Sequence, residues 1–246
     1  MTQLIKTAAR KIVPRQMRPW LRRKLTGSAN FGNLRRLVPI SSDFGFDRGQ
    51  PVDRYYIDKF LSLNAEDIRG RIMEFGDDRY IRMFGASRVT RADVLHVVPG
   101  NPAATIVADI TRADDIPTDS FDCIIMTQTL QMIYDMRSGI GHLHRILKPG
   151  GVLLLTTHGI SRVCRREGQD DWGEYWHLTS QGAARLFAES FPAQNIKVTA
   201  YGNVLSAIAS LHGLAAEELS AGELDHRDWR YEVLVAVRAE KAAATA

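Results

Sequence analysis

His144-Arg-Ile-Leu-Lys-Pro-Gly-Gly-Val-Leu-Leu154 joins a helix to a strand through a hard stop. Lys148-Pro-Gly-Gly151 removes one backbone donor and supplies two glycines, so a helix expected over Met136–Leu147 ends there. A strand then follows over Val152–Thr157. Just upstream, Phe121-Asp-Cys-Ile-Ile-Met-Thr127 is almost wholly apolar. A strand of that composition is buried on both faces, as in a parallel sheet covered by helices.

Working outward, the same alternation recurs. Pro51–Leu61 reads as a helix with Tyr56, Ile57, Phe60 and Leu61 on one side, and Arg71–Phe75 as a strand ending at Gly76. A short helical piece over Tyr80–Phe84 precedes strands at Val89–Val94 and Ala104–Asp109. Beyond residue 157, a helix over Ser180–Ser190 leads to strands at Ile196–Tyr201 and Tyr231–Ala239. The expectation is an α/β fold: a Rossmann-like, seven-stranded, mostly parallel sheet with helices on both faces. Residues 50–241 form that domain, after a basic N-terminal helical arm and connector (1–49) and before a short tail (242–246).

Hydrophobic residues make up 45% of the 246 and charged residues 24%, an ordinary soluble composition. No apolar run approaches the roughly 20 residues of a spanning helix, and no signal-peptide block opens the chain, so a cytoplasmic protein is expected. The net charge of +4 is unevenly spread. Residues 1–36 carry ten Lys and Arg and no acid, which leaves 22 bases against 28 acids, or −6, in the rest. Such an arm suits peripheral contact with an anionic membrane or an acidic protein surface, or an N-terminal helix packed on the domain. Cys123 lies in an apolar run and reads as a small buried hydrophobe, and with only Cys164 besides there is neither a disulfide framework nor a zinc spacing. Asp170, Asp171 and Glu174 are close in sequence, but nothing fixes them as ligands, and no metal is expected.

In open parallel sheets ligands bind beyond the carboxyl ends of the strands. Those positions here hold Glu74 and Gly76, then Asp93, Asp109, and Thr127 with Gln128. A glycine lets the backbone approach a ligand closely. A carboxylate after the second strand suits two vicinal ribose hydroxyls, and one after the third can accept from an exocyclic amine.

These stretches resemble the class I S-adenosylmethionine-dependent methyltransferases, in the broad group called type 11. The resemblance runs from about Arg71 to Gly159. Its carriers are Ile72-Met-Glu-Phe-Gly76, Val107-Ala-Asp-Ile110 with Ile116-Pro117, Asp119-Ser-Phe-Asp122, and the His144–Leu154 stretch. It implies S-adenosylmethionine as cofactor, with Glu74 and Gly76 beside its methionine part, Asp93 at the ribose, Asp109 and Ile110 at the adenine, and Thr127 and Gln128 near the sulfonium. Tyr56, with Tyr55 and Arg54, would cap the cofactor carboxylate. The family's glycine-rich loop is missing, since Gly76 is followed by Asp77-Asp-Arg-Tyr80; either the loop takes another shape or the Asp77 amide stands in. The 17 residues from Gly76 to Asp93 also leave a clipped first helix.

On the acceptor side, His158 and His177 are candidate bases, with structural histidines the bland alternative for each. Trp172, Tyr175, Trp176 and Gln131 are candidate acceptor contacts, the aromatics either stacking on a ring or anchoring a lid. The leading expectation is O-methylation of a small molecule such as a sugar or natural-product intermediate. The alternative is a non-catalytic methyltransferase-like domain that docks through residues 1–36 to a membrane-associated or glycan-building complex. Nucleic acid is disfavoured as a partner: the domain is net acidic, and Thr127-Gln-Thr-Leu130 stands where a base-amine motif would lie. A dinucleotide oxidoreductase lacks its phosphate-cradling glycines.

Overall fold

Strand β4 (Phe121–Thr127) is the middle strand of one seven-stranded sheet, in keeping with its almost wholly apolar character. The computed structural model describes residues 32–164 and 173–243, together with Pro14, Met17, Trp20, Lys24 and Asn30. The chain divides into two compact units, residues 1–38 and 39–246. In the first, Gly32–Leu34 form a 3-10 turn and the Lys24 ammonium lies over the exposed Trp20 ring. Most of the expected basic arm, Trp172, and residues 244–246 of the tail lie outside the described residues.

The second unit holds the sheet. Its other strands are β1 (Gly70–Phe75), β2 (Val89–His96) and β3 (Ile106–Val107) on one side of β4. On the other side are β5 (Leu147–His158), β6 (Ile196–Tyr201) and β7 (Leu234–Glu240). The order is β3-β2-β1-β4-β5-β7-β6, with only β7 antiparallel to its neighbours. Alternate residues feed two cores. Ile72, Cys123, Ile125 and Leu154 pack against α1 (Val52–Leu63) and α4 (Val204–Leu211). Met73, Ile124, Met126 and Leu155 pack against α2 (Met136–Ile146) and α3 (Ser180–Phe187). A short α5 (Ala221–Asp225) adds Leu224 to the first core. Burying both faces of the central strands is the main stabilising term, since apolar area is removed from water on each side.

Among the boundaries that differ from the sequence reading, three have a clear physical reason. The Lys148-Pro-Gly-Gly151 turn is drawn into β5 as an irregularity, its register shifting between Phe121 and Cys123. Gly150 takes φ +74°, and the Gly150 and Gly151 backbones bond to Lys241. Strand β3 shrinks to two residues because Asp109 turns the chain, accepting from the Thr111 amide at 2.9 Å. Strand β2 runs on to His96 rather than stopping near Val94, which moves Asp93 from a strand end into a strand interior.

Candidate active site

A cleft of about 720 Å³ opens where β1, β2, β4 and β5 end, lined there by Gly76, His96, Gln128 and His158 respectively. Its size is that of a small-molecule site.

At the β1 end, Gly76 has φ +89° and nothing within 4 Å of where a Cβ would sit. Its amide donates to Leu95 O and its carbonyl accepts from Asn101 Nδ2 at 2.6 Å. The loop after it takes another shape than a glycine-rich one. Asp77 accepts from the Arg79 amide, and the chain enters a π-helical turn at Ile81–Gly85. Glu74 anchors that turn by accepting from the Tyr80 amide (3.1 Å) and the Ile81 amide (2.8 Å). It is buried, and burial pushes its carboxyl up to about 8 against the pull of those two amides. Neither Glu74 nor Asp77 lines the cleft.

Asp93 requires correction. It is 1% exposed inside β2 and is held by Arg71 Nε at 2.7 Å and Arg91 at 3.0 Å. Burial disfavours its charge, but the two guanidiniums outweigh that and keep its pKa below the usual range. The residue at the end of β2 that lines the cleft is His96, which sequence reasoning missed because the strand is longer than its apolar core suggests. Tyr56 is corrected likewise. Its ring is buried against Tyr201, and its hydroxyl donates to Leu224 O, so it faces the core. Of that helix, Asp53 and Arg54 reach the cleft instead.

Asp109 and Ile110 line the cleft, as does Gln128, whereas Thr127 does not. Gln128 holds φ +48°, its side chain donates to Asp53 at 3.3 Å, and Gln131 links it to Thr157. Gln131 is buried and lines the cleft too.

At the β5 end, the chain leaves His158 and returns at 173–178. The Tyr175 amide donates to Gln131 O, and the Leu178 amide to His158 O. Trp176 fastens this segment by donating to the Ile133 and Tyr134 carbonyls at 3.2 and 3.3 Å, and does not line the cleft. Tyr175 does, edge-on to Tyr134. The return brings Glu174 to His158, with Nδ1 to Oε1 at 3.2 Å. His177 is not on the cleft wall; its Nε2 meets the same oxygen at 2.9 Å. Burial opposes ionisation of Glu174, but bonds from His158, the Cys164 amide and His177 hold its carboxyl down at about 2. Glu174 and Cys164 had no sequence signal as a pair with His158, because their approach depends on how a loop folds back.

Against this geometry, a family model described as a methyltransferase domain matches residues 50–199. The chain belongs to the methyltransferase-domain family. This is the S-adenosylmethionine-dependent group with the class I fold. No curated protein matches the chain. Among solved structures, the methyltransferase fold is shared with the CurJ carbon methyltransferase, at 14% identity, TM-score 0.51, 82% of this chain and 58% of that one. An S-adenosylmethionine-dependent methyltransferase from Mesorhizobium loti is 19% identical, with TM-score 0.49, over 80% of this chain and 100% of that one. The N-methyltransferase NodS from Bradyrhizobium japonicum, in complex with S-adenosyl-L-homocysteine, is 15% identical, with TM-score 0.49, over 82% and 94%. In this methyltransferase, no described helix is long and apolar enough to cross a membrane.

Proposed function

We propose that this chain transfers the methyl group of S-adenosylmethionine to a hydroxyl of a small molecule, with His158 as the base. The observation that carries this reading is the buried His158 on the cleft wall at the end of β5, held by an ionised Glu174.

The residues at the other end of the cleft fit the cofactor. The open space at Gly76 admits a close backbone approach, and the apolar Phe75, Leu95 and Ile110 offer walls for a ring. Asp109 serves the adenine amine, His96 takes the ribose place first given to Asp93, and Arg54 meets the cofactor carboxylate. The bound cofactor supplies an already activated methyl group, so the chain's own work is to align the acceptor and take its proton. A hydroxyl needs that proton sink more than an amine does, and an imidazole fixed by a carboxylate provides it. With Glu174 accepting from Nδ1–H, the Nε2 lone pair is free to receive the proton. Tyr175 and Gln131 line the acceptor end.

The net acidity outside residues 1–36 supports a small acceptor over nucleic acid. Calorimetry with S-adenosylhomocysteine tests the cofactor half: micromolar binding is expected, and no binding at millimolar ligand would defeat the reading. A panel of hydroxyl- and amine-bearing acceptors tests the rest. Transfer to amines alone, undiminished by His158→Ala, would remove the oxygen assignment.

A further inference from the structure

The methyl-transfer reading leaves the Cys164 thiol without a role. Its Sγ lies 3.8 Å from Nδ1 and 4.0 Å from Nε2 of His158, and its backbone amide donates to Glu174 Oε2. One donor atom from each of His158, Cys164 and Glu174 falls within 4.8 Å of the others. His158 is 5% exposed and the Glu174 side chain 3%, and all three residues line the cleft.

We propose that His158, Cys164 and Glu174 bind one zinc ion, leaving its fourth position open to the cleft. The donor set carries the choice of metal. An imidazole, a thiolate and a carboxylate together suit a borderline-soft ion, whereas magnesium and calcium take oxygen ligands and have no use for the sulfur. The spacing agrees. Tetrahedral zinc with ordinary Zn–S, Zn–N and Zn–O bonds has ligand-to-ligand edges of about 3.3 to 3.6 Å. The observed 3.8 Å from Sγ to Nδ1 and 3.2 Å from Nδ1 to Oε1 lie within a few tenths of an ångström of such edges. His177, at 2.9 Å from Glu174 Oε1, orients the carboxylate from outside, as supporting partners of metal ligands do.

The Cys164 thiol and the Glu174 carboxylate are brought together beside His158 by the Cys164 amide, which donates to Glu174 Oε2. A divalent ion among the three donors would neutralise the thiolate and carboxylate it joins. On binding, the Cys164 thiol proton leaves to solvent, the His158 proton passes from Nδ1 to Nε2 by exchange with solvent, and the freed Nδ1 lone pair goes to zinc. His158 in that state has no lone pair left to accept a proton. Metal occupancy and base catalysis are therefore exclusive, and zinc acts as a brake on transfer. This last consequence rests on the methyl-transfer reading; the binding does not.

The test uses tag-free, chelator-stripped full-length protein titrated with zinc chloride, followed by calorimetry and metal analysis. One zinc per chain is expected, with affinity falling at least tenfold in Cys164→Ser and in Glu174→Gln. Cobalt in place of zinc gives a thiolate-to-metal charge-transfer band that Cys164→Ser abolishes. Wild-type affinity no better than that of folded Cys164→Ser, or a cobalt complex lacking the band, overturns the site. Circular dichroism checks folding, and if Cys164→Ser does not fold, the wild-type cobalt spectrum decides. S-adenosylhomocysteine binding is measured on the same protein. Cofactor binding without zinc defeats the metal site alone, and zinc binding without the cofactor product defeats the methyl-transfer reading alone.

Discussion

Glu174 Oε1 stands 3.2 Å from Nδ1 of His158, on a segment that the Leu178 amide ties to the His158 carbonyl. Two constraints thus fix one ring: a backbone bond sets where the segment lies, and the carboxylate sets which nitrogen carries the proton.

For the metal-free enzyme, His158→Ala is expected to lower kcat by about a hundredfold or more, the usual worth of a positioned base. Affinity for S-adenosylhomocysteine should stay within about twofold, since the ring lies at the acceptor end. Glu174→Gln keeps the base but loses its orienting charge, so a smaller drop in kcat is expected. Steady-state kinetics beside calorimetry separates the two effects. An equal loss of cofactor affinity would show that His158 holds the cofactor instead.

Asp93 makes the opposite prediction. Asp93→Ala removes a carboxylate that is 1% exposed and leaves Arg71 and Arg91 without it, at a cost of about 1–3 kcal/mol. Cofactor affinity should not change. Because the folded pKa of Asp93 is lowered, its contribution is present above the unfolded value near 3.9 and is lost as pH falls through the folded one. Denaturant melts at pH 7 and pH 3 should therefore show the variant's deficit shrinking in acid.

The sequence made the fold legible where composition dictates burial. Phe121–Thr127 and Ile196–Tyr201 are strands with the expected limits, and α1, α2 and α3 appear where their apolar stripes lie, whereas α4 and α5 were not read. Which residues line the cleft was legible where a motif fixes the chain locally, as at Gly76, Asp109, Ile110 and Gln128. Site positions failed where a strand end was misjudged by two residues, which cost Asp93 and hid His96. They failed again where tertiary folding decides, since nothing local places Glu174 and Cys164 against His158. Tyr56 was placed on the right helix but on its buried face, because periodicity does not say which side meets a ligand.

Asp109 separates a structural from a binding role. Its carboxylate accepts from the Thr111 amide at 2.9 Å and the Thr111 hydroxyl at 2.8 Å, so Asp109→Ala loses a turn cap worth about 0.5–2 kcal/mol. Asp109→Asn keeps a capping oxygen and should keep Tm within about 2 °C. If the carboxylate also serves the adenine amine, both variants should weaken S-adenosylhomocysteine binding about tenfold, a loss of ~1.4 kcal/mol. Weakening in Asp109→Ala alone would assign the effect to the cap.

Glu74 gives a pH signature of its own. Its folded carboxyl titrates at about 8 against an ordinary value of 4.5, because burial disfavours the charge more than two backbone amides favour it. Below pH 4.5 both folded and unfolded chains hold the proton, and Glu74 adds no pH dependence. Between 4.5 and 8 the unfolded chain releases it while the folded chain keeps it, so stability falls as pH rises, by roughly 4 kcal/mol across the window. Above 8 the curve flattens. Glu74→Gln cannot ionise, but it presents one acceptor where the carboxyl presents two, and so loses the bond from Tyr80 or Ile81 at about 1–2 kcal/mol at every pH. The variant should therefore be less stable than wild type near pH 5 and draw level with it or overtake it near pH 8. Thermal melts from pH 5 to 8.5 measure this directly; parallel curves would mean that Glu74 is ionised throughout, with the two amides outweighing its burial.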